Sequence, residues 1–166
     1  MKKRILLFSG SLFHKTFYSN NMKFYKSKKN LIKLLDKYDI DTFSNDKMTS
    51  EFALNVTKEF ITKRAYDKCI ISLGEADIKY SNPEIFERNL NEILKLLKDY
   101  EIEPIIMSLP KELLRLEEAF AYQQIIHDLA IKNEFYYIHN DETSIEGSHS
   151  ASTDFKIKRT IMDIIK

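Results

Sequence analysis

This chain has few of the residues that break secondary structure or cross-link it. Its 166 residues include one cysteine, three glycines, three prolines and no tryptophan. A single cysteine excludes a disulfide within the chain, and the scarcity of glycine and proline argues against a flexible linker. We therefore expect one domain over residues 1–166. Cys69 lies in an apolar run and is interpreted as a core residue in a reducing compartment.

Long hydrophobic runs and an excess of one charge are also missing. No run approaches the ~20 apolar residues of a membrane span, and no signal-peptide cleavage site follows the basic start. The net charge is +1, although ten of the first 38 residues are Lys or Arg. That basic start fits either an anionic ligand or a solvated lysine-rich helix. The sequence predicts a cytoplasmic protein without membrane or nucleic-acid partners, and it leaves the oligomeric state open.

Apolar runs alternate with helical periodicity along the chain, which is typical of βα units wound into a parallel sheet. Strands are predicted over residues 4–8, 40–43, 68–73, 104–109 and 134–138. Helices are predicted over residues 30–38, 50–64, 112–133 and 152–165, and another begins at Asn82-Pro83-Glu84. Right-handed crossovers then produce an α/β fold, a three-layer α/β/α sandwich with a five-stranded parallel sheet.

Chemically useful residues follow the predicted strands, where open α/β sheets bind ligands. Ser9-Gly10-Ser11-Leu12 follows the first strand and Gly74-Glu75-Ala76-Asp77 follows the third. The fifth strand leads through His139 to Glu146 and His149. A serine hydroxyl becomes a nucleophile when an imidazole takes its proton and a carboxylate orients that imidazole. The sequence supplies all three residue types.

This ordered set resembles the SGNH or GDSL hydrolase family over the full length of the chain. The family has Gly-Asp-Ser-Leu after strand one, Gly-x-Asn-Asp after strand three and Asp-x-x-His before the last helix. The resemblance implies the flavodoxin-like SGNH-hydrolase fold, with Ser11 as nucleophile, His149 as general base and Glu146 as the orienting carboxylate. Asp141, on the same segment, is an alternative to Glu146, and His139 is an alternative base.

The resemblance also assigns residues that would bind the substrate and its oxyanion. The resemblance implies that the backbone amides of Ser11 and Gly74 bind the oxyanion. Ala76 stands where the family has an asparagine whose side-chain amide completes the oxyanion hole. Asn45 is a candidate for the missing amide.

Two acidic residues flank Ala76. Glu75 would repel the oxyanion unless it points away, and it is a candidate contact for a substrate hydroxyl or amine. Asp77 is placed in the same binding region, chiefly as support for the loop.

The resemblance predicts a serine hydrolase that acts on a small acyl ester, such as an O-acetylated sugar, without cofactor or metal. Transfer of the acyl group to an acceptor hydroxyl is a variant of the same chemistry. One alternative is a domain of this fold that binds a glycan or protein without catalysis. Another follows from Gly10-Ser11-Leu12, which also resembles the phosphate loop of flavodoxin-like, FMN-dependent NADPH reductases, although Phe13 replaces the arginine of that loop.

Overall fold

The first strand along the chain, β1 (Arg4–Ser9), lies next to the edge strand of a five-stranded parallel sheet. The computed structural model describes residues 3–10, 38–44 and 46–139. The strand order is β2-β1-β3-β4-β5, and every neighbouring pair is parallel. The other strands are β2 (Asp39–Ser44), β3 (Lys68–Ser72), β4 (Glu103–Met107) and β5 (Tyr136–Ile138). The predicted α/β class and parallel sheet are therefore confirmed.

Four α-helices connect these strands within the described part of the chain. They are α1 (Ser50–Phe60), α2 (Glu75–Tyr80), α3 (Pro83–Asp99) and α4 (Ala119–Lys132). A short 3-10 helix at Leu113–Arg115 precedes α4. The start of α3 is as predicted, because the Asn82 side chain accepts a hydrogen bond from the Ile85 amide and Pro83 occupies the first turn.

Both faces of the three central strands, β1, β3 and β4, are buried, as three layers require. One face carries Leu6, Phe8, Cys69, Ile71 and Ile106, which join a core cluster with residues of α1, α3 and α4. The alternate positions are also buried, and they include Ile5, Leu7, Ile70, Ile105 and Met107. This burial explains why the sequences of β1, β3 and β4 are continuous apolar runs rather than alternating patterns.

The structure corrects two details of the predicted helices. The helix predicted over residues 112–133 is interrupted, because the backbone at Leu116 is extended between the 3-10 helix and α4. The short helix α2 was not predicted. The helices predicted over residues 30–38 and 152–165 fall outside the described residues, apart from Tyr38.

Candidate active site at the carboxyl edge of the sheet

The candidate site lies where β1 and β3 end side by side. Ser9 pairs with Ser72 in the parallel register, so Gly10 and Gly74 leave neighbouring strands at the same edge of the sheet. The strand order reverses between these two strands, because β2 lies on the far side of β1 while β4 lies beyond β3. A crevice at such a switch point is the usual ligand-binding position of open α/β sheets. We call this edge the carboxyl edge.

Gly74 shapes the turn from β3 into α2. Its φ of 111° lies in the left-handed region, which favours glycine. A Cβ on Gly74 would lie 3.0 Å from Leu109 Cδ2 and within 3.5 Å of the Phe86 and Ile126 side chains. The turn is therefore packed directly on the core, and this packing fixes its backbone beside the end of β1.

Glu75 follows in the first turn of α2 and is half-buried. Its carboxylate lies over Gly10, since a Cβ built on Gly10 would be only 2.6 Å from Glu75 Oε2. The structure thus brings together two segments that the sequence separates by more than 60 residues. It places a carboxylate next to the residue that precedes Ser11.

Asp77 is fully buried, and its carboxylate accepts hydrogen bonds from Ser50. The Ser50 amide donates at 2.9–3.0 Å to the two oxygens, and the Ser50 hydroxyl donates at 2.5 Å to Oδ1. Asn89 Nδ2 donates to Ser50 Oγ, and the Tyr122 hydroxyl donates to the Asp77 carbonyl. Burial raises the pKa of Asp77, although its hydrogen bonds with Ser50 oppose the shift. These contacts make Asp77 a residue that positions α2.

Ala76, between Glu75 and Asp77, is 2% exposed. Its methyl side chain has no hydrogen-bonding atom, so it offers nothing to an oxyanion. An oxyanion site at this edge would therefore depend on backbone amides or on a side chain from another segment.

Several predicted site residues lie outside the described residues. They are Ser11, Asn45, Glu146 and His149, together with the alternative carboxylate Asp141. The predicted site residues within the described part of the chain are Gly74, which precedes α2, and Glu75 and Asp77 in its first turn. The alternative base His139 is exposed at the end of β5, with its ring 6.2 Å from the Tyr137 ring.

A second polar cluster, at the ends of β4 and β5, was not predicted. Gln123 Oε1 accepts a hydrogen bond from the Leu109 amide, and Gln123 Nε2 donates to the Tyr137 hydroxyl at 2.7 Å. The Ser108 side chain also bonds to Tyr137. Burial raises the pKa of Tyr137 despite these bonds. The cluster joins α4, β5 and the segment that follows β4, so no local sequence pattern reveals it.

Other side chains of the described segments have plainer roles. Cys69 is free and fully buried in β3, as predicted, and burial raises the pKa of its thiol. Within residues 3–10, 38–44 and 46–139, no group of three or more metal-ligating side chains comes together. In the same segments, no helix is both long enough and apolar enough to cross a membrane.

No family model and no curated protein sequence matches this chain, whereas solved structures do. The psychrotrophic esterase EstA from Pseudoalteromonas sp., inhibited by monoethylphosphonate, has a TM-score of 0.74 and 12% identity over 99% of each chain. A GDSL-like lipase from Bacteroides thetaiotaomicron VPI-5482 has a TM-score of 0.69 and 16% identity, over 98% of this chain and 87% of the lipase. The acetyl xylan esterase AlAXEase has a TM-score of 0.71 and 11% identity, over 98% and 100% of the two chains. The protein therefore has the fold of the SGNH and GDSL esterases and lipases, in a version that is divergent in sequence.

Proposed function

We propose that this protein is a serine esterase that hydrolyses a small acyl ester at the carboxyl edge of its sheet. The observation that carries the proposal is that Gly10 and Gly74 leave neighbouring strands at the switch point of a fold shared with esterases. Ser11 follows Gly10 directly in the sequence, and we propose it as the nucleophile of this site.

In the proposed reaction, Ser11 Oγ attacks the ester carbonyl carbon while His149 accepts the hydroxyl proton. The tetrahedral intermediate collapses, and His149 returns the proton to the departing alcohol oxygen. Water then attacks the carbonyl carbon of the acyl-serine while His149 accepts a proton from it. The second tetrahedral intermediate collapses, His149 donates this proton to Ser11 Oγ, and the carboxylic acid leaves. Glu146, or Asp141 in its place, orients the imidazole and stabilises its charged form.

The proposed oxyanion site uses the backbone amides of Ser11 and Gly74, with Asn45 as the side-chain donor in place of Ala76. The packed turn at Gly74 supports this assignment, because an oxyanion donor works best when its position is fixed before reaction. Each such donor contributes about 10²–10³ in rate. The substrate class we propose is a short acyl ester, with an O-acetylated sugar as one example.

The test is hydrolysis of 4-nitrophenyl acetate by wild-type protein and by Ser11→Ala. We expect the substitution to reduce kcat/KM at least about 10³-fold. Ser81→Ala is the matched control, since Ser81 ends α2 and is only partly buried. This variant should keep the wild-type rate. Equal rates for wild-type protein and Ser11→Ala would remove Ser11 from the mechanism.

Covalent labelling gives a second readout that does not depend on turnover. A fluorophosphonate reacts with an activated serine and leaves a stable adduct, because the phosphonyl centre mimics the tetrahedral intermediate. Mass spectrometry should find one adduct per chain, on the peptide that contains Ser11, and none in Ser11→Ala or His149→Ala. An adduct that persists in Ser11→Ala would assign the nucleophile elsewhere.

The alternatives predict different outcomes in the same experiments. A binding domain without catalysis would show neither Ser11-dependent hydrolysis nor labelling. An FMN-dependent reductase would absorb near 450 nm when purified or after addition of FMN. We also propose a cytoplasmic location, with which the buried, free Cys69 thiol is compatible.

A further inference from the structure

The side chain of Glu75 runs along the backbone where β1 ends. A Cβ built on Gly10 would lie 2.6 Å from Glu75 Oε2, 3.2 Å from Cδ and 3.4 Å from Cβ. Glu75 therefore occupies the space that a side chain at position 10 would need. Gly10 is buried and Glu75 is half-buried, so bulk water screens this carboxylate only in part.

This position brings a negative charge to the residue that precedes the proposed nucleophile. Attack on an ester carbonyl develops negative charge on the carbonyl oxygen. A nearby carboxylate disfavours that charge, because like charges repel more strongly where the effective dielectric is low. A neutral acyl group would therefore react against the repulsion, whereas a cation beside Glu75 would cancel it.

We propose that Glu75 determines specificity by binding a protonated amine on the ester substrate, close to the reacting carbonyl. The inference rests on the proposed esterase function and deepens it. An ionised carboxylate has about four acceptor positions, so Glu75 can accept from an ammonium group while keeping its contacts within the chain. Hydrogen bonds between two charged partners are also the stronger kind. The substrate class is a small ester that carries a cationic amine.

Two probe esters separate the effect of charge from that of size. The 4-nitrophenyl esters of butanoic acid and of β-alanine differ chiefly by a terminal methyl group in one and an ammonium group in the other. The measured quantity is the ratio of kcat/KM for the β-alanyl ester to that for the butanoyl ester, after subtraction of spontaneous hydrolysis. We expect Glu75→Gln to lower this ratio about 10- to 100-fold, because only the β-alanyl ester carries the ammonium group that Glu75 would bind.

Glu87→Gln is the control, because Glu87 is an exposed carboxylate on α3 and its neutralisation changes the net charge equally. Its ratio should equal that of the wild type. A Glu75→Gln ratio within twofold of the wild-type ratio would overturn the inference, as would an equal loss of activity on both esters.

Failure of the esterase proposal itself would look different, since wild-type protein would then hydrolyse neither ester in a Ser11-dependent way. In that case, the relative affinities of the protein for a cationic and a neutral ester test the role of Glu75. NMR titration of Ser11→Ala protein with β-alanine ethyl ester and with ethyl butanoate should show tighter binding of the amine. The preference for the amine-bearing ester should disappear in the double variant that carries both Ser11→Ala and Glu75→Gln. Equal affinities for the two esters before that change would overturn the inference.

Discussion

Ser50, the first residue of α1, donates both its amide and its hydroxyl hydrogen to the Asp77 carboxylate on α2. Both residues are fully buried. Because α2 begins directly after Gly74, this bond holds the candidate site against the neighbouring helix. Asn89 extends the network to α3 by donating to Ser50 Oγ.

The first prediction concerns the stability that this network contributes. Ser50→Ala removes the hydroxyl that joins Asp77 to Asn89 and leaves buried polar atoms without that partner. We expect it to lower the free energy of unfolding by about 2–3 kcal/mol, measured by urea denaturation. Ser81→Ala should change stability by less than about 0.5 kcal/mol. Equal stabilities for these two variants would contradict a structural role for the network.

The second prediction concerns the pH dependence of stability. Burial raises the pKa of Asp77 in the folded protein, so the folded state holds this proton to higher pH than the unfolded chain does. The stability that this linkage contributes is fully present below the ordinary aspartate pKa of about 3.9. This contribution to stability is lost as the pH rises through the raised pKa that Asp77 has in the folded protein.

Urea denaturation of wild-type protein and Asp77→Asn over a series of pH values measures this effect. The difference in unfolding free energy, wild type minus variant, should fall as pH rises above about 4 and then level off. The contributions of the other titratable groups to the pH dependence are nearly the same in both proteins, so they largely cancel in this difference. A difference that rises with pH would mean that the Ser50 hydrogen bonds outweigh burial.

A third prediction compares two glycines at the carboxyl edge. Gly74→Ala forces a side chain into the left-handed region and sets its Cβ 3.0 Å from Leu109 Cδ2. We expect this substitution to lower the free energy of unfolding, measured by urea denaturation, by about 2 kcal/mol. In Gly10→Ala the new Cβ meets the far end of the Glu75 side chain, which can move. The free energy of unfolding of that variant should fall by less than about 1 kcal/mol. A larger decrease for Gly10→Ala than for Gly74→Ala would contradict this prediction.

The fourth prediction uses Cys69, the only cysteine of the sequence. Its thiol is fully buried in β3, and burial raises its pKa, so both access and thiolate formation are suppressed. Ellman's reagent should react at least about 10³-fold faster in urea than in native buffer, because the native reaction needs unfolding. Cys69→Ala should release no thionitrobenzoate in either condition. Reaction of native protein within minutes would show that the core around β3 opens readily.

Some elements of the fold were predictable because their signals are local. The central strands β1, β3 and β4 are apolar runs, and parallel strands buried on both faces have that pattern wherever they occur. The start of α3 was equally clear from Asn82 and Pro83. Strand β5 begins two residues later than predicted, since Glu134 has a φ of 54° and ends the preceding turn. Nothing in the local sequence marks the break at Leu116 that separates the 3-10 helix from α4.

By itself, the sequence determined the α/β class, the parallel strands and the segments that follow them, because periodicity and strand-end motifs depend on near neighbours. Only the tertiary structure decided which of those segments meet. The pairing of β1 with β3 brings Glu75 over Gly10, and a hydrogen bond joins Ser50 at the start of α1 to the Asp77 carboxylate on α2. Both contacts join residues far apart in the chain. They exist because the sheet order and the packed core bring these residues together, which no local pattern encodes.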